Sequence, residues 1–268
     1  MKDIVAFHTW EAERYHTHSS AQNDAASQLL QFIQLKGHES ILDVGCGDGK
    51  ISAEMARSLP TGAVMGIDIS YEMICFANKT FPKTKYPNLT FSSQDAQEFN
   101  YHEKLDIIFS SFALQWLPNP SAFFKCAYKS LNASGYIAAT IPLGISNELE
   151  RATSIIVSLP EWSAYFQNFF PNWHFLTVDK YKQLLIEHQF MPTLFSTVHQ
   201  TAMYTSRKNF EEYVIQWFSY LSPLPQSLKQ AFFKQVIDKY LEIHPPLRNG
   251  EVSLKFLRLD LLAKKITP

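Results

Sequence analysis

The segment "ILDVGCGDG", residues 41–49, decides how the rest of the chain is read. A short apolar run with one aspartate inside it ends in three glycines at alternate positions, Gly45, Gly47 and Gly49, with Asp48 between the last two. Glycine after a buried strand lets the chain turn tightly and lets a ligand touch bare backbone. The periodicity on either side supports that placement. "SILDVG", "AVMGIDI", "NLTFSS", "KLDIIFSS" and "GYIAATIP" read as strands, and "KISAEMARSL", "YEMICFANKTF" and "SAFFKCAYKSL" between them carry apolar residues at helical spacing. Strands alternating with helices predict an α/β fold, a doubly wound, Rossmann-like and mostly parallel sheet. In such a sheet ligands bind beyond the carboxyl ends of the strands, near the switch point.

After Pro142 the rhythm changes. An aromatic-rich stretch over 145–176 is followed by a predicted helix over 179–188 with Asp179 as its N-cap, and then by a strand, "PTLFSTVHQTAMYT". "NFEEYVIQWFSYL" reads as a helix with Asn209 and Glu212 as a capping box and Phe210, Val214, Trp217 and Leu221 as one stripe. A further amphipathic helix ends at Pro245-Pro246, and "VSLKFLRLDLLA" closes the chain as a strand. The expected organisation is a single domain over 1–268. An N-terminal helical segment, 1–36, lies over the ligand site, and 145–176 and 207–247 form a helical and aromatic cap.

Composition narrows the function classes. The 268 residues are 46% hydrophobic with a net charge of −1, which gives no electrostatic case for nucleic acid or an anionic membrane as partner. Three scattered cysteines without a CxxC argue against a disulfide framework or a metal site. No signal peptide is recognisable, and the longest uncharged run, 107–124, is broken by polar residues and prolines, so a soluble, cytoplasmic protein is expected, with a monomer as the default state.

The loop's spacing discriminates between dinucleotides and S-adenosylmethionine. A GxGxxG loop would place its third glycine at position 50, which is Lys50, and a phosphate-binding GK pair would need Ser or Thr where Ile51 stands. Asp43 and Asp48 are poor neighbours for a pyrophosphate and good ones for a sulfonium and an ammonium. Asp68, ending the second strand in "GIDIS", is placed to accept from ribose hydroxyls, and Asp95 in "SSQDAQEF" to accept from an adenine amine.

Together "ILDVGCGDG", "GIDIS", "DAQEF" and "LDIIFSSFALQWL" resemble the class I S-adenosylmethionine-dependent methyltransferases across residues 7–142. The resemblance implies that Asp68 holds ribose, that Asp95 and Ala96 hold adenine, and that Gly45 with the backbone at Ser111 and Phe112 holds the methionine moiety. Asp43, Cys46, Gly47 and Ile69 complete the expected cofactor set. "FSSFALQWLPNPSAFF" and the tail "SLKQAFFKQVIDKYLEIHPPLRNGEVSLKFLRLDLLAKK" are similar to the trans-aconitate methyltransferases. "YHTHSSAQNDAASQLL" is similar to the malonyl-carrier-protein and juvenile hormone acid methyltransferases. All three groups methylate carboxylates, so a small-molecule acid is the expected substrate and a methyl ester the expected product.

A carboxylate is already ionised at neutral pH and needs no general base. Alignment and exclusion of water remain for the protein to supply. Gln22, Gln115 and Trp116 are the expected residues of the substrate mouth. The six arginines form no cluster for a tricarboxylate, and the aromatics of 162–175 point instead to a partly apolar or carrier-bound acid. For an alcohol substrate, His174 and His199 would be the bases. A nicotinamide-dependent oxidoreductase and a non-catalytic cofactor-binding scaffold are the rival readings.

Overall fold

The computed structural model describes residues 11–102 and 104–267. Two N-terminal helices, α1 (Ala12–His18) and α2 (Ser20–Leu30), precede the sheet; the first ten residues of the expected N-terminal segment, His8 among them, lie outside the described residues. The alternation then runs β1 (Ser40–Val44), α3 (Lys50–Arg57), β2 (Ala63–Asp68), α4 (Tyr71–Thr80), β3 (Leu89–Ser93), β4 (Leu105–Ser111), α5 (Pro120–Ser130) and β5 (Leu131–Pro142). After it come α6 (Asn147–Val157), α7 (Pro160–Ser163), α8 (Val178–Glu187), β6 (Phe190–Tyr204), α9 (Arg207–Val214), α10 (Gln226–Ile243) and β7 (Val252–Lys265).

The seven strands form one sheet in the order β3-β2-β1-β4-β5-β7-β6. The first five are parallel; β7 runs antiparallel between β5 and β6. The sheet is thus α/β, doubly wound and mostly parallel. Its switch point falls between β1 and β4, which pair from Ile41–Ile107 to Asp43–Phe109. Both strands end at the same edge, so the glycine loop after β1 and the segment after Ser111 stand side by side.

Each face of the sheet has its own core. Phe123, Phe124, Tyr181 and Leu185 of α5 and α8 pack on one side, and Leu29, Ala53 and Met55 of α2 and α3 on the other. The late helices build a third cluster around Trp162, Phe210, Phe232 and Tyr240, joined to the sheet through Leu254 and Phe256 of β7.

Two helix starts differ from the sequence expectation. Thr177, not Asp179, caps α8, its hydroxyl accepting from Lys180 N at 3.2 Å; Asp179 sits in the first turn, where its charge faces the positive end of the helix. Ser206 caps α9 by accepting from Asn209 N at 3.2 Å, so Asn209 is already inside the helix. With the cap at Ser206 the third helical position is Asn209, so Glu212 lies a turn too far on to complete a box and pairs with Arg14 Nε at 2.7 Å instead. The helix also stops at Val214, and the following turn swings Trp217 out of the expected stripe.

Candidate functional site

Two adjoining cavities open at the carboxyl edge of β1 and β4. The smaller, about 330 Å³, is lined by the glycine loop (Gly45, Cys46, Asp48), by Asp43 and Ser111 at strand ends, and by Tyr15, Gln22 and Asn23 of the N-terminal helices. The larger, about 570 Å³, has aromatic walls: Phe112 and Trp116 after β4, Trp173 and Phe175 from the cap loop, Tyr213 and Trp217 at the end of α9, and Phe256 on β7. Tyr15 and Gln22 line both, so they mark the boundary between them.

The loop is locked to the next strand by its own backbone. Gly45 N and Cys46 N donate to Ile67 O at 2.8 and 3.0 Å, and Gly47 N donates to Asp68 Oδ2 at 2.9 Å. Gly45 has φ +73°, and a β-carbon there would overlap that of Ala113, so both its dihedral and the close approach of the β4 loop demand glycine. Opposite it, Phe112 adopts φ +53°, uncommon for a bulky residue. That turn lets Phe112 N donate to Thr140 O at 2.9 Å while its ring meets Phe256 edge-on at 5.8 Å.

Negative charge concentrates at the smaller cavity. Burial pushes the Asp43 carboxyl up to about 7; a hydrogen bond from Ser52 Oγ opposes the rise, and the nearby Asp68 and Asp48 add to it. Burial also raises Asp68, against the backbone N–H groups of Ser70, Gly47 and Ile69 that favour its ionised form. Asp48, 4% exposed, is bonded to His16 Nδ1 at 2.6 Å. Burial among these carboxylates holds the Cys46 thiol well above its usual range, which leaves it a neutral wall rather than a nucleophile. No lysine or arginine lines this cavity among the described residues.

Each expected residue can now be placed. Asp43, Gly45, Cys46 and Ser111 face the smaller cavity. Gly47 and Asp68 form the hinge between loop and second strand, and Ser70, not Asp68, caps α4. Ile69 is exposed beyond β2, and Asp95, which accepts from Gln97 N at 2.8 Å, stands with Ala96 after β3, outside the lining of either cavity. Phe112 turns its side chain to the larger cavity instead. Gln22, Gln115 and Trp116 all reach that cavity, Trp116 packing edge-on against Trp173 at 6.2 Å. His174 and His199 are exposed and line neither. Sequence reasoning missed Tyr15, Tyr213, Trp217, Leu254 and Phe256 as lining residues; only the alternation of the closing strand carried a signal, for the last two.

A methyltransferase-domain family model matches residues 35–186, more than half of the chain. Trans-aconitate 2-methyltransferase of Escherichia coli is 26% identical over 265 residues, covering 96% of this chain and 98% of that protein. The YcgJ protein of Bacillus subtilis shares the fold with a TM-score of 0.62 at 11% identity, over 92% of this chain and 100% of that one. Phosphoethanolamine N-methyltransferase 2 of Haemonchus contortus, solved with S-adenosyl-L-methionine, does so with a TM-score of 0.56 at 15% identity, over 91% and 53%. The sheet order, the glycine loop and the acidic groups around it define a class I S-adenosylmethionine-dependent methyltransferase. The chain belongs to the methyltransferase-domain family.

The residues present fit the cofactor of that class. Its cationic methionine half meets carboxylates and, among the described residues, no lysine or arginine, and the Ser111 hydroxyl, buried without a hydrogen-bond partner among those residues, is placed to bond it.

Proposed function

We propose that the protein transfers a methyl group to the carboxylate of a small acid with an apolar body. When bound in the smaller cavity, S-adenosylmethionine supplies a sulfonium methyl group that leaves sulfur for an acceptor oxygen with no proton to be moved.

The observation that carries this reading is the lining of the larger cavity: aromatic walls, with no lysine, arginine or histidine among the described residues that form them. Among the described residues no histidine lines the cavity to act as base, and burial holds the Tyr15 and Tyr213 hydroxyls protonated, so an acceptor that arrives already ionised fits the site. Neutral groups are left to orient it. The Trp217 indole N–H lies beside the Tyr213 hydroxyl, and the Gln22 side-chain oxygen is buried without a hydrogen-bond partner among the described residues. Rotation of the Gln22 amide presents its N–H groups to the same space. Gln115 donates to Phe112 O at 2.7 Å, which leaves its own unpartnered oxygen to accept from a second polar group of the acceptor.

The relative's named acceptor, trans-aconitate, carries three carboxylates, and desolvating them against these walls, which have no lysine or arginine among the described residues, is costly. A single carboxylate on an apolar body suits the lining better. The test is S-adenosylhomocysteine release with medium-chain and aromatic monoacids, followed by alkaline treatment of the product. A base-labile methyl ester supports the proposal; a base-stable product assigns the methyl group to nitrogen or carbon instead.

A further inference from the structure

The face of β7 that gives Leu254 and Phe256 to the larger cavity continues, two residues at a time, to Arg258 and Asp260. These two are 1% and 3% exposed, a full ion pair inside the protein. The guanidinium grips Asp260 with Nε at 2.9 Å and Nη2 at 3.0 Å. It also donates to Gln200 Oε1 on β6 and, from Nη2, to Gln28 Oε1 on α2 at 2.7 Å. Gln200 Nε2 in turn donates to Ala21 O at 2.9 Å. One side chain therefore ties down both ends of α2.

Buried ion pairs contribute little net stability against apolar replacements of the same volume. What this one is attached to gives it a role. Ala21 precedes Gln22, which lines both cavities, and Asn23, which lines the smaller. The planar fork fixes direction as well as distance, which an ammonium group does not. We infer that Arg258 is a positioning residue: through Gln28 and Gln200 it sets the height of α2 on the sheet, and so places Gln22 at the junction of the cofactor and acceptor cavities. The inference rests on the reading of the smaller cavity as the cofactor site.

Calorimetry with S-adenosylhomocysteine and hydrogen exchange of the ligand-free protein test it, using Arg258→Lys, Gln28→Ala, Gln22→Ala and the double variant Arg258→Lys/Gln22→Ala. Arg258→Lys keeps a charge for Asp260 and gives up the fork. Gln28→Ala cuts one tie to α2 outside both cavities, so it reports even if the lysine variant folds poorly. Arg258→Lys and Gln28→Ala are each expected to weaken binding about tenfold and to speed exchange of the 20–30 amides, leaving β7 protected. The double variant is expected to bind no worse than Gln22→Ala alone, because both changes act on the same contact. Wild-type affinity in Gln28→Ala, or losses that multiply in the double variant, would overturn the inference. Failure of the wild-type protein to bind would instead overturn the cofactor reading beneath it.

Discussion

Gly47 and Asp68 are joined across the cofactor edge: the Gly47 amide donates to Asp68 Oδ2 at 2.9 Å, while Oδ1 accepts from Ser70 N at the same distance. With Ile69 N as well, three backbone N–H groups bond this carboxylate, which leaves acceptor capacity for a ligand. Asp68→Ala is therefore expected to weaken S-adenosylhomocysteine binding by about 1–3 kcal/mol, the loss of an acceptor to a polar partner. Titration calorimetry reads it, and an unchanged affinity would remove the ribose role from Asp68.

Gly45 bears a different constraint. Its φ of +73° and the Ala113 side chain against it leave no room for a β-carbon. Gly45→Ala should lower unfolding stability by more than about 1 kcal/mol, since alanine is strained at positive φ, and it should also displace the Ser111–Ala113 segment. Urea denaturation with and without S-adenosylhomocysteine separates the two effects. Full retention of both stability and binding would contradict the tight apposition of the two loops.

Burial lifts the Asp43 carboxyl from an ordinary 3.8 to about 7. Between those values the folded protein binds more protons than the unfolded chain, so this group's contribution to stability falls as pH rises from about 4 to about 7. A cationic ligand beside Asp43 favours its ionised form and releases the proton. Affinity for S-adenosylmethionine, whose sulfonium carries the positive charge, should thus rise with pH up to about 7 and then level off, and Asp43→Asn should flatten that rise. Calorimetry across pH in buffers of different ionisation enthalpy measures the proton release; none at pH 6 would contradict the linkage.

The acceptor cavity makes a prediction about selectivity. With aromatic walls and no lysine or arginine among the described lining residues, apolar monoacids should be methylated with kcat/KM at least ~10-fold above trans-aconitate, a difference of about 1.4 kcal/mol in transition-state binding. Competition between the two acids in one reaction gives the ratio directly. Preference for the tricarboxylate would mean that cations reach the cavity in the working enzyme.

The sheet and the loop were legible in the sequence because they rest on local rules. Strand β1 announces itself by an apolar run and the loop by glycine. The acceptor site was legible only in part. Gln115 and Trp116 follow β4 directly, so the sheet places them, and Gln22 belongs to a segment expected over the site. Tyr213 reaches the cavity from inside α9, on a face the expected stripe did not include, and Trp217 follows the helix end at Val214, which no local residue signals because the apolar stripe continues past it. Arg258 looked like one isolated arginine; its partners Gln28 and Gln200 are 230 and 58 residues away along the chain, and only the sheet brings them together.

The cofactor assignment underlies every other prediction, and thermal unfolding of the full chain with S-adenosylhomocysteine, NAD and NADP tests it most directly. At 100 times its dissociation constant a ligand adds about 2.7 kcal/mol to the folded state. S-adenosylhomocysteine should raise the midpoint by several degrees and the two nicotinamide nucleotides should leave it in place; stabilisation by NAD or NADP, with none from S-adenosylhomocysteine, would contradict the account from the glycine loop onward.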